Sequence, residues 1–127
     1  MKAQYVHELE AYKEAFRLQQ EIFEATKGWP KDETYSLIDQ VRRSSRSIGA
    51  NLSEAWAKRR YPAHFLSKLT DADGEISETR HWIATAHACG YLSDEGRSLL
   101  ATHVDKVGGL YGGMIQKHRQ FCLPKLS

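Results

Sequence analysis

Apolar and small residues recur along this chain at alternating steps of three and four. The first line of them reads Leu9, Tyr12, Phe16, Gln19, Phe23 and Thr26, the stripe of an amphipathic helix that turns one face to a core. Gly28 and Pro30 end it. Asp32 is placed to act as N-cap for a second line, Ile38, Val41, Ser45, Ile48, Leu52 and Ala55. Arg60-Tyr61-Pro62 interrupts, and Pro62 suits the first turn of a third helix because its missing N–H is not needed there. That helix carries Leu69, Ala72, Ile76, Thr79, Ile83 and Ala86 and ends at Gly90. Ser93 then offers a cap, with Asp94 and Glu95 at the positive end of the helix dipole. The fourth line is Leu100, Val104, Val107, Tyr111, Met114 and His118.

No stretch alternates with period two over a useful length, so strands are not expected. The connections are short, which makes consecutive helices antiparallel neighbours. The pattern predicts an all-α, antiparallel up-down-up-down four-helix bundle, one domain over residues 1–127, with helices about 7–27, 33–59, 62–89 and 93–120. Gly108, Gly109, Gly112 and Gly113 fall inside the last helix, each at a cost of ~1 kcal/mol against alanine. Val107, Leu110, Tyr111 and Met114 keep helical period through them, which predicts an intact helix with a smooth outer surface.

Charge changes the picture in one place. Residues 40–60, QVRRSSRSIGANLSEAWAKRR, hold six basic residues (Arg42, Arg43, Arg46, Lys58, Arg59, Arg60) and one acid, Glu54, a local +5 in a chain of formal net charge +2. At about 100° per residue the arginines of helix 2 fall opposite its apolar stripe and point away from the core. Gly49, Ser53 and Ala57 lie in line with Arg42 and Arg46, and Arg60 continues the row. Small residues let another surface approach the helix backbone, and guanidinium groups match phosphate or carboxylate as planar, bidentate donors. The six basic residues are therefore the candidate nucleic-acid contacts, for RNA or DNA, with little sequence preference. Gly49, Ser53 and Ala57 are the candidate close-approach positions. The alternative is a protein–protein module in which the same row forms a subunit interface with the acids of helix 3. Asp39 also stands at helical spacing from Arg42 and Arg43, as Glu54 does from Lys58, and such pairs would quench part of the charge. Asn51 projects toward an edge of the apolar face, where a hydrogen bond to a neighbouring helix would fix register.

Catalytic and metal chemistry find little support. A di-iron bundle needs two Glu-x-x-His motifs and two further glutamates facing inward. Glu78-Thr79-Arg80-His81 is a single such motif, with His81 off the stripe, so no metal or cofactor is expected. Cys89 sits at a helix end away from the pole that activates a thiol. No P-loop, GxGxxG, GxSxG or EF-hand spacing occurs, and no enzymatic activity is expected. Tyr5, Tyr12, Tyr35, Trp29 and Trp56 are possible stacking platforms, though core or interface anchoring is the commoner use of such rings. Two cysteines outside any CxxC pair suit free thiols in a reducing compartment. With no signal-like or membrane-spanning apolar run, a cytoplasmic protein away from membranes is expected.

The segment Arg42-Arg43-Ser44-Ser45-Arg46-Ser47-Ile48-Gly49-Ala50-Asn51-Leu52-Ser53-Glu54-Ala55 resembles a known signature, approximately R-R-x-x-x-S-I-P-x-N-I-A-E-G. It is that of the four-helix bundle proteins encoded in 23S rRNA intervening sequences, also known as the S23 ribosomal protein family. The likeness extends to Glu8-Leu9-Glu10-Ala11-Tyr12-Lys13, to Thr26-Lys27-Gly28-Trp29-Pro30 and to Gly90-Tyr91-Leu92. Gly49 stands where the family usually has proline, and Ala55 where it usually has glycine. The resemblance implies a bundle that assembles as a ring, commonly a homopentamer, without enzymatic activity. A relative, the accessory variability determinant of diversity-generating retroelements, looks like a basic, barrel-shaped pentamer that binds nucleic acid and partners a reverse transcriptase. The stretch Asp71-Ala72-Asp73-Gly74-Glu75 is more acidic than the resemblance leads one to expect.

Overall fold

A computed structural model describes residues 3–124. Its α-helices are α1 (Glu10–Thr26), α2 (Leu37–Ala57), α3 (Pro62–Ala88), α4 (Asp94–Gln116) and a single turn, α5 (His118–Phe121). Short 3-10 turns at Val6–Glu8 and Lys31–Glu33 lead into α1 and toward α2. The long helices touch in ring order, α1 to α2 to α3 to α4 and back to α1. Among the described residues neither diagonal pair approaches at the backbone, so the molecule is the antiparallel four-helix bundle that the pattern predicts.

The punctuation explains where the helices stop. Gly90, at a φ of +82°, ends α3; its N–H bonds to the carbonyl of His87, and that of Tyr91 to the carbonyl of Ala86, the paired closure for which a left-handed glycine is favoured. Ser93 Oγ accepts the Gly96 N–H at 3.0 Å and caps α4. Pro62 occupies the first position of α3. Asp32 does not cap α2. It lies in the 3-10 turn that starts from Pro30, and the helix begins a turn later at Leu37. Ser36, at the cap position, donates its hydroxyl to Glu33 at 2.6 Å instead. Glu33 also accepts from Tyr91 at 2.9 Å, tying the first loop to the α3–α4 turn. At the other end the continuous fourth helix predicted to residue 120 stops at Gln116. Lys117 leaves helical geometry, His118 falls outside α4, and α5 folds Phe121 onto Trp56 and Phe65 with ring centroids 6.4–6.5 Å apart.

The predicted stripes of helices 2 and 3, and the fourth from Leu100 to Met114, are all buried. Helix 1 differs. Its core line is Ala11, Glu14, Ala15, Leu18, Ile22 and Thr26, while Phe16 is 47% exposed and Tyr12, Gln19 and Phe23 sit on the flank. Small alanines fit the crowded interior; the larger rings lean sideways over α2. α4 runs unbroken through Gly108, Gly109, Gly112 and Gly113.

Two polar features lie within this packing. Thr79 of α3 donates to Ser44 of α2 at 2.9 Å, both fully packed. On the α1–α4 seam the buried Glu14 carboxylate is bound by Arg17, by His103 Nε2 at 2.8 Å and by Lys106 at 3.3 Å. The other ring nitrogen of His103 faces Glu21 at 3.0 Å. Burial pushes the Glu14 carboxyl up, but the bonds from His103, Lys106 and Arg17 outweigh it and hold the group below its ordinary value.

Candidate nucleic-acid interface

Arg42, Arg43 and Arg46 stand in the first half of α2, on the side away from the Ile38-to-Ala55 stripe. Arg42 is fixed twice. Its Nε donates to Thr26 Oγ1 at 2.8 Å, and its guanidinium lies 4.7 Å from the centre of the Phe23 ring. Arg46 approaches the same ring at 5.7 Å and Lys27 at 4.7 Å, so three cations gather round one aromatic ring. Arg43 donates to Gln40 at 3.3 Å and is exposed.

Among the described residues none of these three arginines has a carboxylate within 4.0 Å, although Asp39 lines the same depression. Asp39 forms no ion pair, and Glu54 reaches across to Lys68 of α3 at 2.9 Å rather than to Lys58. That hydrogen bond lowers the Glu54 carboxyl and raises the Lys68 ammonium from their ordinary values. The arginines line an open depression of about 460 Å³ with Thr34, Asp39 and Ser47. It continues past Arg46 and Ala50 into a second depression of about 270 Å³ bordered by Phe16 and Ser53.

The other three basic residues do not join them. Lys58, Arg59 and Arg60 follow the end of α2 at Ala57, and the rise of an α-helix puts Lys58 about 18 Å beyond Arg46. Arg59 is half-buried: its guanidinium stacks 3.9 Å from the Trp56 ring, its Nε donates to the Trp56 carbonyl, and its own carbonyl accepts from Leu123. It packs the bundle end. The predicted single row is thus two clusters, because α2 ends before the second one begins.

Two further expectations change. Gly49 is covered by α1 of the same chain: a Cβ there would stand 3.7 Å from the Tyr12 ring. Ser53 sits beside the same flank, and only Ala57 of the small row is exposed. The row is occupied because the aromatics of α1 pack outside the core rather than in it. Asn51 donates to the Ser47 carbonyl of its own helix at 2.9 Å, and the cross-helix bond falls to Ser44 and Thr79. Sequence reasoning missed Phe23 and Thr26 as supports of the arginines, and Lys27 as a third cation at the Phe23 ring. Phe23 and Lys27 at i, i+4 beside a basic helix was the available signal. Of the aromatics, Trp29 and Trp56 are buried anchors and Tyr35 is 94% exposed. The lone Glu-x-x-His is taken up locally, Glu78 accepting from Trp82 and His81 stacking edge-on against that indole.

A four-helix bundle with an unpaired cationic patch on its second helix defines the class of molecule. The sequence profile of the 23S rRNA-intervening sequence protein family matches residues 7–113, and the chain belongs to that family. A crystal structure of a protein of unknown function from the S23 ribosomal protein family of Bacteroides thetaiotaomicron VPI-5482 superposes with a TM-score of 0.76. The identity is 23%, over 84% of this chain and 98% of that one, so the likeness is one of fold. No curated protein matches the chain in sequence. No helix among the described residues is long and apolar enough to cross a membrane.

Proposed function

We propose that this protein is a non-enzymatic, oligomeric bundle that binds nucleic acid through Arg42, Arg43 and Arg46, with Lys58 and Arg60 as a second, weaker contact. One observation carries the reading: the three guanidinium groups are held in place by Phe23, Thr26 and Gln40, yet among the described residues none has a carboxylate within 4.0 Å. Stacking on Phe23 occupies one face of Arg42 and Arg46 and leaves N–H edges for phosphate oxygens. With the guanidinium groups on phosphate oxygens, affinity would come from the backbone with little sequence preference. Repetition of the patch in an oligomer multiplies weak contacts by avidity. Two free thiols suit a cytoplasmic setting.

A second reading is favoured by the acids of α3. Asp73 forms no ion pair among the described residues, and Asp71 only a 3.7 Å contact with Lys68, so one copy's α3 could meet another copy's arginines. Labelled RNA and DNA binding, with particle mass measured in parallel, separates the two. If the patch binds nucleic acid, Arg42→Ala/Arg46→Ala loses affinity and keeps its mass. If the patch is a seam, the same variant dissociates and the wild type binds neither nucleic acid.

A further inference from the structure

The arginines do not stand alone on their face. Tyr35, in the loop before α2, follows Thr34, which lines the arginine depression, and its side chain is almost wholly in solvent. At the other end Phe16 borders the second depression and is about half exposed, stacked on Tyr12 with centroids 6.3 Å apart and planes at 28°. Arg46 and Ala50 line both depressions, so the two form one track. From Ile38 to Ser53 it follows α2 for roughly 22 Å, room for several nucleotides. Cations along the track, the open Phe16 ring on its border and the exposed Tyr35 ring one residue beyond its Thr34 edge are the parts that a single strand uses, phosphates on the guanidinium groups and bases on the rings. A duplex keeps its bases stacked inside and offers such rings nothing.

We propose that this track takes an unpaired strand of RNA or DNA, with bases stacking on Tyr35 and Phe16; the inference rests on the nucleic-acid reading above and narrows it to one form of ligand. Tyr35 supports no part of the core, and none of the side-chain hydrogen bonds among the described residues uses its hydroxyl, so it can be changed without disturbing the bundle.

The test is fluorescence anisotropy with end-labelled 12-nucleotide strands of RNA and DNA, each alone and annealed to its complement. Single strands of at least one sugar type are expected to bind tenfold or more tightly than either duplex. Tyr35→Ala and Phe16→Ala should each weaken single-strand binding by roughly 5- to 100-fold, the worth of one stacked base, and leave duplex binding unchanged. Tyr35→Phe should bind as the wild type does. Equal or tighter duplex binding, or single-strand binding indifferent to Tyr35→Ala, overturns the inference and leaves the phosphate-binding patch standing. A Phe16→Ala protein that changes particle mass and not affinity overturns it too, by showing a protein contact at that ring. Failure of every probe to bind at low salt removes both the inference and the reading beneath it.

Discussion

The hydroxyl of Thr79 donates to Ser44 across the α2–α3 interface at 2.9 Å, and the Ser44 hydroxyl in turn donates to the Val41 carbonyl at 3.3 Å. A buried hydroxyl without a partner costs about 1–3 kcal/mol, whereas removing both partners is nearly neutral. Ser44→Ala alone strands Thr79 and should cost about 1–2 kcal/mol. Ser44→Ala/Thr79→Val should recover most of that loss in urea unfolding, with a coupling near 1 kcal/mol. Strictly additive costs would show that the pair does not act as a unit.

Glu14 gives the bundle an acid-sensitive seam. Its folded-state pKa lies below the ordinary 4.5, since the bonds from His103, Lys106 and Arg17 outweigh burial. A depressed carboxylate contributes stability that is present above the unfolded pKa and is lost as pH falls through the folded one. Stability should therefore decline below about pH 4.5, and Glu14→Gln should lower it at pH 7 by about 2 kcal/mol while flattening the acid limb. Thermal melts from pH 3 to 7 read both effects; an acid limb unchanged in Glu14→Gln would assign it to other carboxylates.

Three glycines of α4 are not needed for packing among the described residues. A Cβ at Gly109, Gly112 or Gly113 meets nothing within 4 Å. Each change to alanine should stabilise an isolated bundle by roughly 0.4–1 kcal/mol, from the intrinsic helical cost of glycine. If this smooth surface is covered in an oligomer, the same changes should weaken assembly instead, so melts and particle mass must be read together. Destabilisation with unchanged mass would contradict both outcomes.

Phe23 positions Arg42 and Arg46 without touching the proposed ligand. Phe23→Leu keeps an apolar side chain but removes a stack worth about 0.5–1 kcal/mol at an exposed site. It should lower nucleic-acid affinity two- to five-fold with little change in melting temperature. An unchanged affinity would mean that the arginines need no such support.

Much of this was legible in the pattern. The stripes of α2 and α3, and that of α4 through Met114, coincide with the buried faces because each consists of apolar or small residues with no competing line. α1 carries two interleaved lines, and the aromatic one is conspicuous. The true core line is interrupted by Glu14, whose burial depends on His103 and Lys106 from a helix about ninety residues away. The Asp32 cap failed because a 3-10 turn intervenes before α2, whereas the Ser93 cap, directly ahead of its helix, held. The arginine face was visible from periodicity alone, but its division into two clusters depended on where α2 ends. The pairing of Glu54 with Lys68 depended on a neighbouring helix.

The most direct measurement is the slope of log K against log salt for a single-stranded probe, taken for the wild type and for Arg42→Ala/Arg46→Ala with particle mass recorded alongside. A single strand contributes about 0.7 to the slope per neutralised phosphate. The loss of two contacts should flatten the slope by about 1.4 per patch, at constant mass. An identical slope in the two proteins, or dissociation of the double variant, would contradict the assignment of this face to nucleic acid.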